Sequence, residues 1–384
     1  MSDISVTTRT ASPARAIGAT VGFAAVVCVL SRLLLAGHAF DRVWAEDGAV
    51  FLVDARTHGF GSLIAEYSGY AHLVPRILAL IGSWLPLAYY ALFTVTVSAV
   101  VVGLLAWYVY ASARHTTSSP TWALIAALAL ALAPAYRAEA LGNLANLQWF
   151  LLPAAAWAVI DTRRTRIAPL VILAAATTSP LTILLLPALL LTHGRTALRT
   201  PATLALAAGL GFQAVVRFAG IHSVANPAPR SPGVYPAMAT EILESVGSTP
   251  WAPAIAGIIL IVLCLAAWFV GARKNLPATA FVVTSALFVA VPTVLNGSAQ
   301  PRYVACGFVA LVWAACLAAP ALRRTFATGL AVILAASALL TFTADPYRVS
   351  GPSWTSEINS PCGPGKTHQA DLSPQDWGAI PLPC

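Results

Sequence analysis

The chain has 384 residues, of which 58% are hydrophobic and only 9% charged, whereas a soluble domain carries about 25% charged residues. Its mean hydropathy is +0.77, which excludes a water-soluble globular domain. The net charge of +8 contains no long basic run and divides by side, as set out below, so it gives no evidence for a nucleic-acid partner.

Apolar runs predict full spans at 16–37, 86–111, 120–135, 147–160, 201–219, 252–272, 276–295, 303–319 and 325–343. At 1.5 Å rise per residue many of these cross a hydrocarbon core of roughly 30 Å. In lipid they must be helices, because only a helix pairs its backbone groups within the segment. Two shorter runs, 167–177 and 181–192, form a hairpin broken at Thr177-Thr178-Ser179-Pro180. The fold class expected is therefore all-α: a polytopic integral membrane bundle of about nine full spans plus a hairpin of two short helices.

The first run has no clear small-residue cleavage site and reads as a retained anchor. Arg9, Arg15, Arg114, Arg163, Arg164, Arg166, Arg195, Arg199, Arg273, Lys274, Arg323 and Arg324 cluster in alternate loops. These 12 of the 22 Lys and Arg share their loops with only Asp3 and Asp161 of the 14 acids, leaving +10 on that face and −2 elsewhere. The basic loops are expected in the cytoplasm together with the N-terminus of a cell-membrane protein. Residues 38–85 then form a long extracytoplasmic loop with interfacial helices in a membrane domain spanning 1–343, and 344–384 is a short extracytoplasmic tail. Cys362 and Cys384 share that tail on the oxidising side and are expected to pair; two free thiols are the alternative.

The remaining polar chemistry lies in the outward loops. Glu46 and Asp47 are adjacent acids just after the first span. Like charges so close raise at least one pKa and favour a general base, though the pair could equally cap the helix that follows. In the second outer loop, Glu139, Asn143 and Asn146 share one face if the segment is helical, with Gln148 and Trp149 leading into the next span. Carboxylate and amide groups suit sugar hydroxyls and Trp149 suits a sugar ring, while interhelical hydrogen bonding would satisfy the same groups. Arg302 beside Tyr303 brings a guanidinium to the mouth of the bundle, where it could clamp a phosphate or snorkel to headgroups; Arg76 and Arg217 are weaker candidates. No Walker loop, HExxH, CxxC or GxSxG motif is present, and His72 is isolated, so any enzyme here would use an activated substrate borne by lipid.

This pattern resembles the GT-C superfamily of membrane glycosyltransferases that use polyprenyl-phosphate sugars. The resemblance rests on Glu46-Asp47-Gly48 with Phe51, on the long loop ending in His72 and Pro75-Arg76, on the hairpin break at Thr178-Ser179-Pro180, and on Arg302-Tyr303 opening a late span. It implies inverting transfer of a sugar from a polyprenyl-phosphate donor to an extracytoplasmic glycan or lipid acceptor, as in cell-envelope polysaccharide synthesis. Asp47, by its spacing to Phe51, would be the base, with Glu46 beside it. Arg302, Tyr303 and Arg76 would hold the donor phosphate, and His72, Tyr70, Glu139, Asn143, Asn146 and Trp149 would contact substrate. No cofactor is certain, and a divalent cation could assist at the acid pair. Glu-Asp replaces the more familiar Asp-Glu order, and a tail replaces a large soluble domain. The competing reading is a lipid-linked sugar flippase or secondary transporter, which would also be apolar with a broken hairpin but would carry charges near the midplane.

Overall fold

The computed structural model describes residues 13–383 apart from 118, 138, 162–165, 220–234, 248–252, 344, 346–349, 362–366 and 376. The chain is an all-α polytopic membrane bundle. Among the described residues, eight helices are long and apolar enough to cross a membrane, by length and composition. In chain order the bundle contains α1 (Pro13–Leu35), α4 (Tyr90–Thr116), α5 (Pro120–Leu132), α6 (Gln148–Ile160), α7 (Ala168–Thr178), α8 (Leu186–His193), α9 (Pro201–Ala219), α11 (Pro253–Gly271), α12 (Leu276–Asn296), α13 (Pro301–Ala318) and α14 (Arg324–Leu340). Helices α6 and α14 follow their expected bounds to within three residues but, at 13 and 17 residues, are shorter than the eight candidate spans. Conversely, the second arm of the hairpin runs through 3-10 turns from Pro180 to Arg199 and reaches 20 residues. Helix α10 (Tyr235–Gly247) was not anticipated.

Small residues let the helices approach closely, as lipid-embedded packing requires. At the α1–α4 crossing, a Cβ on Gly103 would lie 2.8 Å from the Gly22 carbonyl oxygen and 2.4 Å from Val26 Cγ2. Gly103→Val is therefore expected to force the pair apart at a cost of about 1–3 kcal/mol. A lowered thermal midpoint in detergent checks this against Gly211→Ala, where a new Cβ meets nothing within 4 Å. Equal midpoints would mean that the crossing tolerates the added volume.

The fully buried Arg32 on α1 ties the bundle together at one end. Its guanidinium donates to the carbonyls of Ala131, Thr341 and Phe342. These lie at the C-termini of α5 and α14, where unpaired carbonyls carry partial negative charge and so suit a cation without a carboxylate partner.

The segment between α1 and α4 lies at this same end and is partly helical, with a π-helical turn at Asp47–Leu52, then α2 (Val53–His58) and α3 (Leu73–Ser83). Onto it folds the C-terminal segment, made of α15 (Trp354–Ile358) and an antiparallel hairpin of β1 (Thr367–Asp371) and β2 (Ala379–Pro383). The Ser373 amide donates a 2.9 Å hydrogen bond to the Val43 oxygen, and the Ser373 carbonyl accepts one of 2.6 Å from the Ala45 amide. Asp41 accepts from the amide and hydroxyl of Thr355, and the Trp354 indole donates to Leu87. Val43, Leu52, Tyr90, Trp354, Leu372 and Ile380 close a small apolar core beneath these bonds. Cys362 and Cys384, the expected disulfide, lie outside the described residues.

Candidate active site

Three separated stretches of sequence meet beside the π-helical turn. The 66–74 loop is fastened to the bundle by Gln213 of α9, whose side chain bonds both the amide and the carbonyl of Ala71, and by Thr178 of α7, which accepts from the Val74 amide. Glu66 pairs with Arg217 at 2.7 Å. The 139–147 loop is not a continuous helix: Gly142 adopts φ +73°, only Ala145–Leu147 form a 3-10 turn, and the side-chain amides of Asn143 and Asn146 both turn back to donate to the Glu139 carbonyl oxygen. Arg302 and Tyr303 enter from the first turn of α13.

Together these stretches enclose a cavity of about 390 Å³. Of the residues expected at the site, Glu46, Tyr70, His72, Asn146, Trp149, Arg302 and Tyr303 line it. Gln148 and Ser179, from the start of α6 and the hairpin break, line it as well, together with Tyr67, Ser68 and Asn296, which nothing in their spacing had marked. The hairpin break at Ser179-Pro180 forms part of the wall.

The two neighbouring acids have separate surroundings. Asp47 is fully buried away from the cavity, and its two carboxylate oxygens accept from the amides of Leu144 and Ala145 at 2.8 and 2.9 Å. It thereby holds the loop that presents Asn146, Gln148 and Trp149. Glu46 faces the cavity, with its Oε2 buried and without a hydrogen-bond partner. Burial pushes the Glu46 carboxyl above the usual carboxylate range; its own backbone amide, the Arg302 charge and the Trp44 indole draw it back, and Glu139 pushes it further up. This is the behaviour expected of a desolvated acid.

Arg302 donates through Nη1 to Glu139. One such bond leaves most of a guanidinium's five donors uncommitted by this pair. Glu139 therefore acts on the cavity through Arg302, and Asn143 acts through the loop, with its Oδ1 accepting from the Asn146 amide. Arg76 does not line the cavity. It is buried against Asp54 at 2.8 Å and over the Phe51 ring, which fixes α3 to α2.

His72 stacks on Tyr70 with ring centroids 4.2 Å apart, and burial followed by the Arg76 charge pushes its pKa down to about 3. It is thus a neutral imidazole. Opposite it, Trp149 and Tyr303 lean together at 4.9 Å, and the indole Nε1 of Trp149 is buried without a partner, as are His72 Nδ1 and Ser179 Oγ. Four lining residues, Glu46 included, thus present polar atoms that the protein leaves unsatisfied. Buried polar groups are rarely left so, and a polar ligand would complete them. Among the described residues no group of three or more His, Cys, Asp or Glu is placed to hold a metal ion. Comparison with protein-family models and with curated proteins gives no match.

Proposed function

We propose that the protein is an inverting glycosyltransferase that moves a sugar from a polyprenyl-phosphate donor to a glycan or lipid acceptor on the extracytoplasmic side of a cell membrane. The observation that carries this reading is the meeting of Glu46 and Arg302 in one cavity with aromatic walls and unsatisfied hydrogen-bonding atoms. The sidedness of the basic residues supports placing that cavity away from the cytoplasm.

In this reaction the acceptor hydroxyl oxygen bonds to the sugar C1 as the bond from C1 to the phosphate oxygen breaks. The hydroxyl proton passes to Glu46, and the electron pair leaves with the phosphate, whose added charge the Arg302 guanidinium meets. Attack opposite the leaving group inverts C1. Glu46 takes the role of base that the family resemblance had implied for Asp47, because Asp47 already spends both oxygens on backbone amides.

The test is transfer from a polyprenyl-phosphate sugar to glycan and lipid acceptors by purified protein in lipid. Anomeric inversion in the product is the expected result. Movement of the intact lipid-linked sugar across the bilayer with no transfer would favour the flippase.

The base must be ionised to act, so turnover should fall as pH drops through the raised pKa of Glu46, at a higher pH than an ordinary carboxylate would give. Glu139→Gln removes a charge that raises this pKa and leaves Arg302 free to lower it, so the acidic limb should move to lower pH. A limb unmoved in a kcat-versus-pH profile of that variant would count against Glu46.

A further inference from the structure

Three polar atoms in residues of the cavity wall stand apart from the rest. His72 Nδ1, Ser179 Oγ and Trp149 Nε1 belong to residues only 2%, 1% and 5% exposed, and none has a hydrogen-bond partner. Their neighbours in the wall are committed: Tyr70 and Gln148 bond each other, and the Asn146 side chain donates to the Glu139 carbonyl.

Each of the three is spared the structural duty its position would give it. Ser179 precedes the 3-10 segment Pro180–Leu185, where a serine ordinarily caps the first amides, yet its side chain makes no capping bond. His72 precedes α3 and does not cap it either; Thr178, the residue before Ser179, accepts from the Val74 amide instead. Trp149 is held through its backbone oxygen, which accepts from the Tyr136 hydroxyl and the Cys306 thiol, while its indole N–H is left over.

Together the three atoms define the chemistry of their partner. The indole nitrogen only donates, the serine hydroxyl donates or accepts, and a neutral imidazole nitrogen does one or the other according to its tautomer. Ligand hydroxyls meet all three. A carboxylate only accepts and an ammonium only donates, and each would also be drawn to a charge. Among the described lining residues the charges are Arg302 and Glu46, which the proposed reaction needs for the donor phosphate and the acceptor proton. The Tyr70–His72 stack and the Trp149–Tyr303 pair add flat apolar faces for the C–H side of a sugar ring.

We propose that the cavity recognises its donor through an uncharged sugar whose hydroxyls bond His72, Ser179 and Trp149, and that these residues set the sugar specificity. The polyprenyl-phosphate carrier rests on the transferase reading; the choice of a neutral over a charged sugar does not. The test measures equilibrium binding to the full chain in lipid nanodiscs of polyprenyl phosphate alone and of its glucosyl, galactosyl and mannosyl forms, each beside its 6-carboxylate and 2-amino counterparts. At least one neutral form should bind more tightly than the bare lipid, and by about tenfold or more over its charged counterparts. Ser179→Ala, His72→Phe and Trp149→Phe should each reduce the sugar's gain in affinity by about two- to tenfold, the span of one uncharged hydrogen bond, and leave binding of the bare lipid unchanged. Ser179→Ala should not lower the thermal midpoint of the unliganded protein, since no protein bond is lost, whereas Thr178→Ala, which loses the bond from Val74, should. Ser179→Ala decides the matter if the two aromatic variants fail to fold. A charged form bound as tightly as its neutral counterpart, no gain from any sugar, or a gain kept in full by every folded variant overturns the proposal. A neutral preference that depends on these residues, with no transfer to any acceptor, sinks the transferase and leaves the recognition standing. Transfer from a charged-sugar lipid with kcat/KM equal to that of its neutral counterpart does the reverse.

Discussion

Glu46→Gln is expected to reduce turnover by roughly 100-fold or more while donor binding is kept, because the amide preserves size but cannot take the acceptor proton. The expectation comes from where the side chain points: Glu46 lines the cavity and has an oxygen that no protein group satisfies. Asp47→Asn should behave differently. An asparagine can accept through only one of its two terminal atoms, so one of the backbone amides of Leu144 and Ala145 would face another donor. The cost is that of a buried unsatisfied group, about 1–3 kcal/mol of stability. Single-turnover rates and thermal midpoints for both variants separate the roles: a chemical defect confined to Glu46→Gln and a stability defect confined to Asp47→Asn. Full specific activity in Glu46→Gln would end its candidacy as base. Should Asp47→Asn alone lose the chemical step at normal stability, the base would be Asp47.

Arg302→Ala should weaken binding of a polyprenyl-phosphate donor by about 2–5 kcal/mol, the range for truncating one partner of a desolvated charge pair. Part of that loss comes from stranding Glu139, the ion-pair partner of Arg302. The double variant Glu139→Gln with Arg302→Ala removes this contribution and reports on the phosphate contact itself. Arg302→Lys should restore only part of the affinity, since a point charge does not reproduce the guanidinium fork. Equilibrium binding of donor to all three variants is the measurement, and unchanged affinity throughout would take Arg302 out of the donor site.

The helices were legible because lipid burial demands uninterrupted apolar runs, and α4, α11 and α12 fall where such runs place them. Span length was less legible. The second arm of the hairpin, expected over 181–192, instead runs from Pro180 to Arg199 because 3-10 turns extend it at both ends. Helix α10 and the β1–β2 hairpin gave no strong signal, since each is held by tertiary contacts more than by its own pattern. At the site, charge and sidedness pointed to Glu46, Arg302 and Trp149. Which of two adjacent acids faces inward was not readable, because it depends on the π-helical turn that begins at Asp47. Tyr67, Ser68 and Asn296 were equally hidden: each is an ordinary loop or helix-end residue until the loops fold together. Arg76 carried a misleading signal, since its charge is needed by Asp54.

The clasp of Ser373 on Val43 and Ala45 joins the segment before Glu46 to one that follows the whole bundle in sequence. Gly48 is pressed against Leu372 so closely that a Cβ there would lie 2.5 Å from a leucine methyl. The backbone leading to Glu46 is thus set by partners encoded at the far end of the sequence, so a change at Leu372 or Ser373 reaches the cavity without touching it.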